Sequence, residues 1–397
     1  TTEGLTNYFV KRDSQLIKLT AIDSWVLNLS SNIEYSDADR QEISNRVSEQ
    51  YVNEYIATWN NALDNLDIKR FEDIPQAVKA IERITGSSQS MKRAIATVNT
   101  NTSPASAPNG VEGKALESLL ASPEFVLRNQ ISNNFVNEKN ILTQDDGRDS
   151  ILQNVYPSLS NLHRYLLAIQ NSPEKGKAAL RAVQMRFDQQ STDPIIELQQ
   201  LAKTVPEPLG RWLEQIADNA WKAVLKSAVI ALEVEWNNKV VKPYKATIEG
   251  RYPFAPSASQ EVAISDFDRF FAPDGIIDGF YNKYLSAFID NDIMDDSEEG
   301  KSFLREDVIE QFELAQRIRD TFFSSENGLG AQYIVEPVSL AANKRRSVLN
   351  LDGQIIDFTH GNKKRVNVVW PNSMNVAVES KLTLVPNKVN TSPRSIS

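Results

Sequence analysis

Only two histidines, His163 and His360, could serve as a catalytic proton shuttle in this 397-residue chain. The chain has no cysteine, which excludes disulfides, thiolate nucleophiles and cysteine-bound zinc. His163 lies in a helical pattern and His360 precedes Gly361 at a turn, so packing and turn stabilisation are the favoured roles. The sequence lacks a Gly-x-Ser-x-Gly elbow, a phosphate loop and a His-Glu-x-x-His motif. It therefore predicts no catalytic residue, no cofactor and no metal.

Carboxylates are the remaining candidates for chemistry. The acidic run at 290–299 fails the EF-hand pattern, because Met294 and Asp295 occupy the fifth and sixth positions. We interpret this run as the solvated boundary of a helix. Asp266 and Asp268 could form the carboxylate pair of a glycosidase, so a peptidoglycan-cleaving hydrolase stays open as an alternative. A passive peptidoglycan-binding stalk is a further alternative.

The charge of the chain is divided unevenly along its length. Residues 327–397 carry nine Lys or Arg against four Asp or Glu, whereas the remainder carries 34 against 48. The net charge of −9 argues against general affinity for nucleic acid. The most apolar run, at 226–233, is too short to span a membrane, so we expect any membrane anchor to lie outside this chain.

Helical periodicity dominates the first 325 residues. Ser36 and the acids after it predict the start of a long helix whose apolar residues recur every four positions. Further helices are predicted at 71–84, 91–98, 303–323 and, as a pair, within 150–193, and a helical pattern covers 116–136. The longest predicted helix covers 209–248, and Pro243 should bend or end it. Polar segments at 100–113 and 143–149 predict loops.

The period changes after residue 327. Short β-rich runs alternate with turn signals at 352–353, 360–362 and 371–372. The predicted fold class is therefore α+β, with a predominantly helical multi-domain stalk followed by an antiparallel β-sandwich. We predict domains at 1–142, 143–325 and 326–397. About 70 residues is short for a sandwich of the usual ~100, so we expect the last domain to be incomplete.

Several short motifs occur along the chain in the same order as in a known protein family. Residues 248–254 read Ile-Glu-Gly-Arg-Tyr-Pro-Phe, and 266–275 read Asp-Phe-Asp-Arg-Phe-Phe-Ala-Pro-Asp-Gly. These two segments resemble the IcmF/TssM family of type VI secretion. The resemblance also includes the Trp236-containing helix upstream and the residues 35–40, 55–59, 351–354, 359–361 and 370–371. The tail at 387–397 departs from the family pattern.

The resemblance implies a periplasmic scaffold anchored in the bacterial inner membrane by segments outside this chain. It implies an outer-membrane TssJ-like lipoprotein docked on the β domain, an inner-membrane TssL-like partner outside this chain, and self-association into a ring. Some family members carry a nucleotide-binding loop in a cytoplasmic domain, and this chain has no such loop. No nucleic-acid partner and no enzymatic activity are expected.

Two sets of residues follow as candidate sites. The basic clusters, which we expect in loops between strands, are candidate partner contacts: Lys344, Arg345, Arg346, Lys363, Lys364 and Arg365. The turn after the longest helix is a candidate structural motif: Gly250, Arg251, Tyr252, Pro253, Phe254 and Asp266. We expect positive φ at Gly250 and aromatic rings of Tyr252 and Phe254 between the neighbouring helices. Arg251, if it is buried, could pair with Asp266 or Asp268 and fix the turn.

Overall fold

The computed structural model describes residues 36–103, 113–144, 149–187, 193–286, 306–323, 328–361, 363–372, 380–388 and 390–396. The chain divides into two compact units, Thr1–Ala228 and Val229–Ser397. The described part of the first unit is helical, and that of the second contains helices followed by two antiparallel sheets. The predicted α+β class, with helices before sheets, is confirmed. The division into three domains stays a prediction.

Capping residues and prolines set the helix ends of the first unit. Ser36 and Asp39 form a capping box at the start of the first long helix, as its sequence predicts. The helical pattern at 116–136 is confirmed, and it is divided into separate short helices because Ser122 caps a new helix that starts at Pro123. The described helices that begin in this unit are α1 Asp37–Asp64, α2 Ile74–Thr85, α3 Ser90–Thr102, α4 Lys114–Leu120, α5 Pro123–Asn133, α6 Val136–Leu142, α7 Ile151–Asn171, α8 Lys175–Phe187, α9 Pro194–Ala202 and α10 Leu209–Trp236.

Apolar helix faces form the core of the first unit. In α7, Leu159, Leu162 and Leu166 recur at helical spacing and are completely buried. The predicted stripe of α1 also faces inward, and it packs with residues of α3 and α5 in one cluster. The α1–α2 connection is tied to α10, where Trp212 Nε1 donates to the Leu66 carbonyl at 2.5 Å.

The longest predicted helix is continuous but irregular. α10 leads into a π-helical turn at Asn237–Val241, and α11 follows at Lys242–Thr247. The irregularity therefore precedes Pro243 and does not start at it. A proline cannot donate to the carbonyl four residues earlier, and the wider turn just upstream accommodates that missing bond.

The second unit continues with short helices that pack around aromatic rings. α12 is Ile264–Phe271 and α13 is Ile276–Phe280, which a second π-helical turn at Tyr281–Leu285 extends. α14 is Glu306–Phe322, within the predicted 303–323. The acidic run at 290–299 lies outside the described residues.

In the described residues, six strands follow in two antiparallel sheets. β1 pairs with β4 in a two-stranded sheet, and the other sheet has the order β3-β2-β5-β6. Gln354 of β3 links the sheets through two hydrogen bonds to the backbone of Val369 in β4, at 2.7 and 2.9 Å. The β2–β3 turn has positive φ at Asp352 and Gly353, as the Asp-Gly signal predicts. The strands are β1 Ala331–Val335, β2 Lys344–Leu351, β3 Gln354–Thr359, β4 Val366–Trp370, β5 Ser380–Pro386 and β6 Arg394–Ile396.

Candidate functional site

The first basic cluster lies in a strand. β2 begins at Lys344, and its ladders with β3 and β5 both include Arg346. The register between β2 and β5 shifts between these two residues, which places Arg345 at a bulge with its side chain exposed. The loop interpretation of this cluster is therefore wrong, because strand pairing extends through it.

Arg346 is engaged within the sheet. Its guanidinium donates to Asp357 of β3, from Nε to Oδ1 at 2.9 Å and from Nη2 to Oδ2 at 2.5 Å. These hydrogen bonds stabilise the carboxylate and hold the pKa of Asp357 below its usual range. Arg345, by contrast, is exposed and pairs with no carboxylate in the described part of the chain.

The second basic cluster lies in a loop, as expected. Lys363, Lys364 and Arg365 connect β3 to β4, and all three side chains are exposed. Arg365 Nε donates to Glu336 at 2.8 Å, next to the end of β1. Lys363 and Lys364 pair with no carboxylate among the described residues. They are therefore available to an acidic group of another molecule.

His360 brings the two clusters to one end of the β2–β3 hairpin. Its ring Nε2 lies 2.6 Å from the carbonyl oxygen of Lys344. The side chain thus bridges the start of β2 and the turn after β3, which is the turn-stabilising position that the sequence favours. The resulting basic rim consists of Lys344, Arg345, Arg346, Lys363, Lys364 and Arg365.

The turn at residues 250–254 closes through its backbone. Gly250 has φ +73° just after α11, in agreement with the prediction. The Tyr252 amide donates to the Gln260 carbonyl at 2.8 Å, and the Tyr252 carbonyl accepts from Val262 at 3.0 Å. The Tyr252 ring is 50% exposed, so the expectation that it fills the space between helices is wrong.

Arg251 reaches Asp266 only loosely. Arg251 Nη1 lies 4.0 Å from Asp266 Oδ2, and the two side chains are 31% and 29% exposed. Its Nη2 donates to the Ala246 carbonyl at 3.4 Å. Arg251 is thus only partly buried, and a partly exposed ion pair at this separation contributes little to stability.

Phe254 occupies the position predicted for it among aromatic rings. It stacks on Phe271 with centroids 5.6 Å apart and lies 6.3 Å from Phe267 and 6.4 Å from Tyr244. Phe271 is 4% exposed. The Gly250–Phe254 turn therefore places Phe254 in an aromatic cluster, whereas Asp266 takes part only through its loose contact with Arg251.

Beside this cluster is an apolar cavity that sequence reasoning did not find. Its volume is about 470 Å³. Trp236 and Val240 line it from the α10 side, and Leu314 and Phe322 line it from α14. No short motif marks such a cavity, because it depends on how loosely two helices pack.

A second feature that the sequence did not reveal joins the two π-helical turns. Lys239 Nζ lies 2.9 Å from Glu235 Oε2 and also donates to the Tyr284 hydroxyl. The hydrogen bond to Tyr284 is the main cause that raises the pKa of Lys239. Glu235 is only 7% exposed, and a carboxylate buried to that extent needs a nearby positive charge, which Lys239 supplies. The arrangement fixes the two turns to each other.

The described residues offer no catalytic or metal centre of the kinds considered. Asp266 and Asp268 are two positions apart on α12, and residues at that spacing do not face each other on a helix. His163 is partly buried within α7. No group of three His, Asp or Glu side chains in the described part of the chain could hold a metal ion. None of the helices in that part is long and apolar enough to cross a membrane.

Three families of related description match different parts of the chain. Residues 1–103 match a family described as IcmF-related, intracellular multiplication and human macrophage-killing. Residues 227–326 match the helical domain of the type VI secretion protein IcmF, and 333–397 match its C2-like domain.

Relatives and solved structures agree with these matches. The type VI secretion system component TssM1 of Pseudomonas aeruginosa is 22% identical over 97% of this chain, which spans 38% of that protein's length. A type VI secretion system membrane core complex chain has a TM-score of 0.68 at 15% identity, with 100% of this chain and 76% of that chain covered. A type VI membrane complex chain has a TM-score of 0.62 at 16% identity, with 97% and 71% covered. These two likenesses show a shared fold.

Proposed function

Because this chain belongs to the IcmF/TssM family of type VI secretion proteins, we propose that it is a structural part of the secretion membrane complex and not an enzyme. The relative TssM1 is a component of a type VI secretion system, and the chains of similar fold come from type VI membrane complexes. The separation of Asp266 and Asp268 around α12 supports a scaffold over a hydrolase.

Within that complex, the two sheets are the docking module for an outer-membrane TssJ-like lipoprotein. The observation that carries this proposal is the basic rim, where Lys363 and Lys364 are exposed and pair with no carboxylate of the described chain. Unpaired charges at a rim raise association rates and select partners of opposite sign.

The same proposal places the chain in the periplasm. Membrane anchors and the contact with a TssL-like inner-membrane protein belong to regions outside this chain. Copies of the chain assemble into a ring, and no nucleic acid takes part.

Binding of the complete chain to the lipoprotein of the same gene cluster tests the docking module. Biolayer interferometry should give saturable binding with a micromolar or tighter dissociation constant. Replacing Lys363 and Lys364 by Ser should weaken it about two- to thirtyfold at low salt, because each rim charge contributes ~0.2–1 kcal/mol. The effect should shrink as salt is raised.

Lys245→Ser with Arg269→Ser is the matched control, since it removes two exposed cations from α11 and α12 of the same unit and none from the sheets. It should leave the dissociation constant unchanged. Equal losses in both double variants would mean that only net charge matters. Absence of binding by the folded chain would reject the docking module, and peptidoglycan clearing in a zymogram would reject the non-enzymatic proposal.

A further inference from the structure

Strand β1 has one edge that pairs with no strand in the described part of the chain. It belongs to a two-stranded sheet and pairs with β4 along its other edge. In an antiparallel pair, about half of the N–H and C=O groups of a strand point away from its neighbour. Such groups hydrogen-bond readily to another extended chain that lies alongside.

The side chains of β1 do not protect this edge. Its five residues, Ala-Gln-Tyr-Ile-Val, include no charge and no proline, and its register with β4 shows no bulge. Charges, prolines and bulges are the usual means by which edge strands avoid pairing with other chains. By that register, Ile334 and Val369 share one face, where they are 63% and 41% exposed. Val338, just beyond the strand, is 75% exposed.

Cations mark one end of the edge. Val335, the last residue of β1, pairs with Val366, so the loop of Lys363 and Lys364 lies just beyond it. Arg365 of the same loop is bound to Glu336, whereas the two lysines pair with no carboxylate of the described chain. A strand added along β1 would therefore bring its residues nearest Val335 within reach of unpaired positive charge.

We propose that β1 is a docking edge for an extended segment of another protein, which adds to the β1–β4 sheet as a further strand. The segment carries apolar side chains at alternating positions, which cover the face of Ile334 and Val369. It also carries acidic residues at the end beside Lys363 and Lys364. This proposal depends on the proposed docking function only for the identity of the natural partner, which is the lipoprotein.

Hydrogen exchange of the complete chain tests this edge with two probes. One probe is the lipoprotein without its lipid. The other is a peptide of alternating valine and threonine with two glutamates at its amino end, which lies beside Val335 when the peptide adds antiparallel. Both should slow exchange of amides in Ala331–Val335 and leave Gln354–Thr359 of β3 unchanged. A peptide with two lysines in place of the glutamates should bind more weakly.

Ile334→Lys should weaken binding of both probes at least about tenfold, because it removes apolar contact and places a charge on the edge. Ile355→Lys is the matched control, since Ile355 is also 63% exposed on a strand, β3. It should leave binding unchanged. An equal effect of the two variants would refute the docking edge.

The outcomes separate the two proposals. If the lipoprotein binds without slowing exchange in β1, the docking edge is wrong and the docking module stands. If the peptide protects β1 but the lipoprotein does not bind, the edge is supported and the partner is wrong. Amides of β1 that are fully protected in the free chain, or a dimer that Ile334→Lys dissociates, would overturn the proposal.

Discussion

Replacing Gly250 by alanine should destabilise the second unit by about 1–2 kcal/mol. Gly250 has φ +73°, where an L-residue places its Cβ too close to the following carbonyl oxygen. A Cβ built at this position meets no other atom within 4 Å, so no further steric cost is added. The expected loss of stability therefore comes only from the left-handed backbone conformation at this residue.

Asparagine separates that cause from a steric one. Because asparagine tolerates the left-handed region, Gly250→Asn should cost clearly less than Gly250→Ala. Gly86 is the contrasting case, since its φ of −79° is ordinary but a Cβ would lie 2.6 Å from the Glu82 carbonyl oxygen. Alanine and asparagine at Gly86 should both destabilise, and asparagine should bring no recovery.

Thermal unfolding of the four variants measures these costs. For a unit of this size, ~1 kcal/mol shifts the midpoint by about 2–4 °C, so Gly250→Ala should lower the midpoint of its transition by roughly 2–8 °C. The reasoning fails if Gly250→Ala is as stable as the parent chain, or if asparagine is no better than alanine there.

Two further predictions concern the core and the sheet. Phe271→Ala should cost about 3–5 kcal/mol in urea unfolding, because the ring is 4% exposed and packs against Phe254; a cost below ~1 kcal/mol would show that the cluster is loosely packed. Asp357→Asn should destabilise the chain at neutral pH and progressively less in acid. The folded-state pKa of Asp357 lies below its ordinary 3.8, so the stabilisation is complete above that value and is lost as pH falls through the folded pKa. The thermal unfolding midpoints of the Asp357→Asn variant and the parent chain should therefore converge in acid. A difference between these two midpoints that stays constant from about pH 6 to pH 2 would contradict the pairing of Asp357 with Arg346.

Local signals predicted much of the helical fold. The Ser36 capping box and the periodic apolar residues of α7 act within one or two turns, so they are visible in the sequence. The helical pattern at 116–136 does not show where its helices divide, because the pair Ser122–Pro123 starts a new helix within an apolar pattern that continues through it. Periodicity alone does not reveal such a restart.

The candidate site was predictable in composition but not in geometry. The basic residues were found, yet Lys344 to Arg346 were assigned to a loop because charges are typical of turns. Pairing with β3 and β5 determines their strand conformation, and pairing partners lie far away in sequence. The Glu235–Lys239–Tyr284 contact was missed for the same reason, since it joins residues more than 40 positions apart.

The π-helical turn at Asn237–Val241 also gives this helix a place where its length can change. Such a turn holds one residue more than the α-helical turn it replaces, so deleting one residue there would leave a regular turn and keep the phase of the helix beyond it. Tyr244 would then stay beside Phe254 and Phe270. A single deletion within α10 would instead rotate everything beyond it by about 100° and carry Tyr244 away from those rings. We therefore expect this turn to accept the loss of one residue more readily than α10 does.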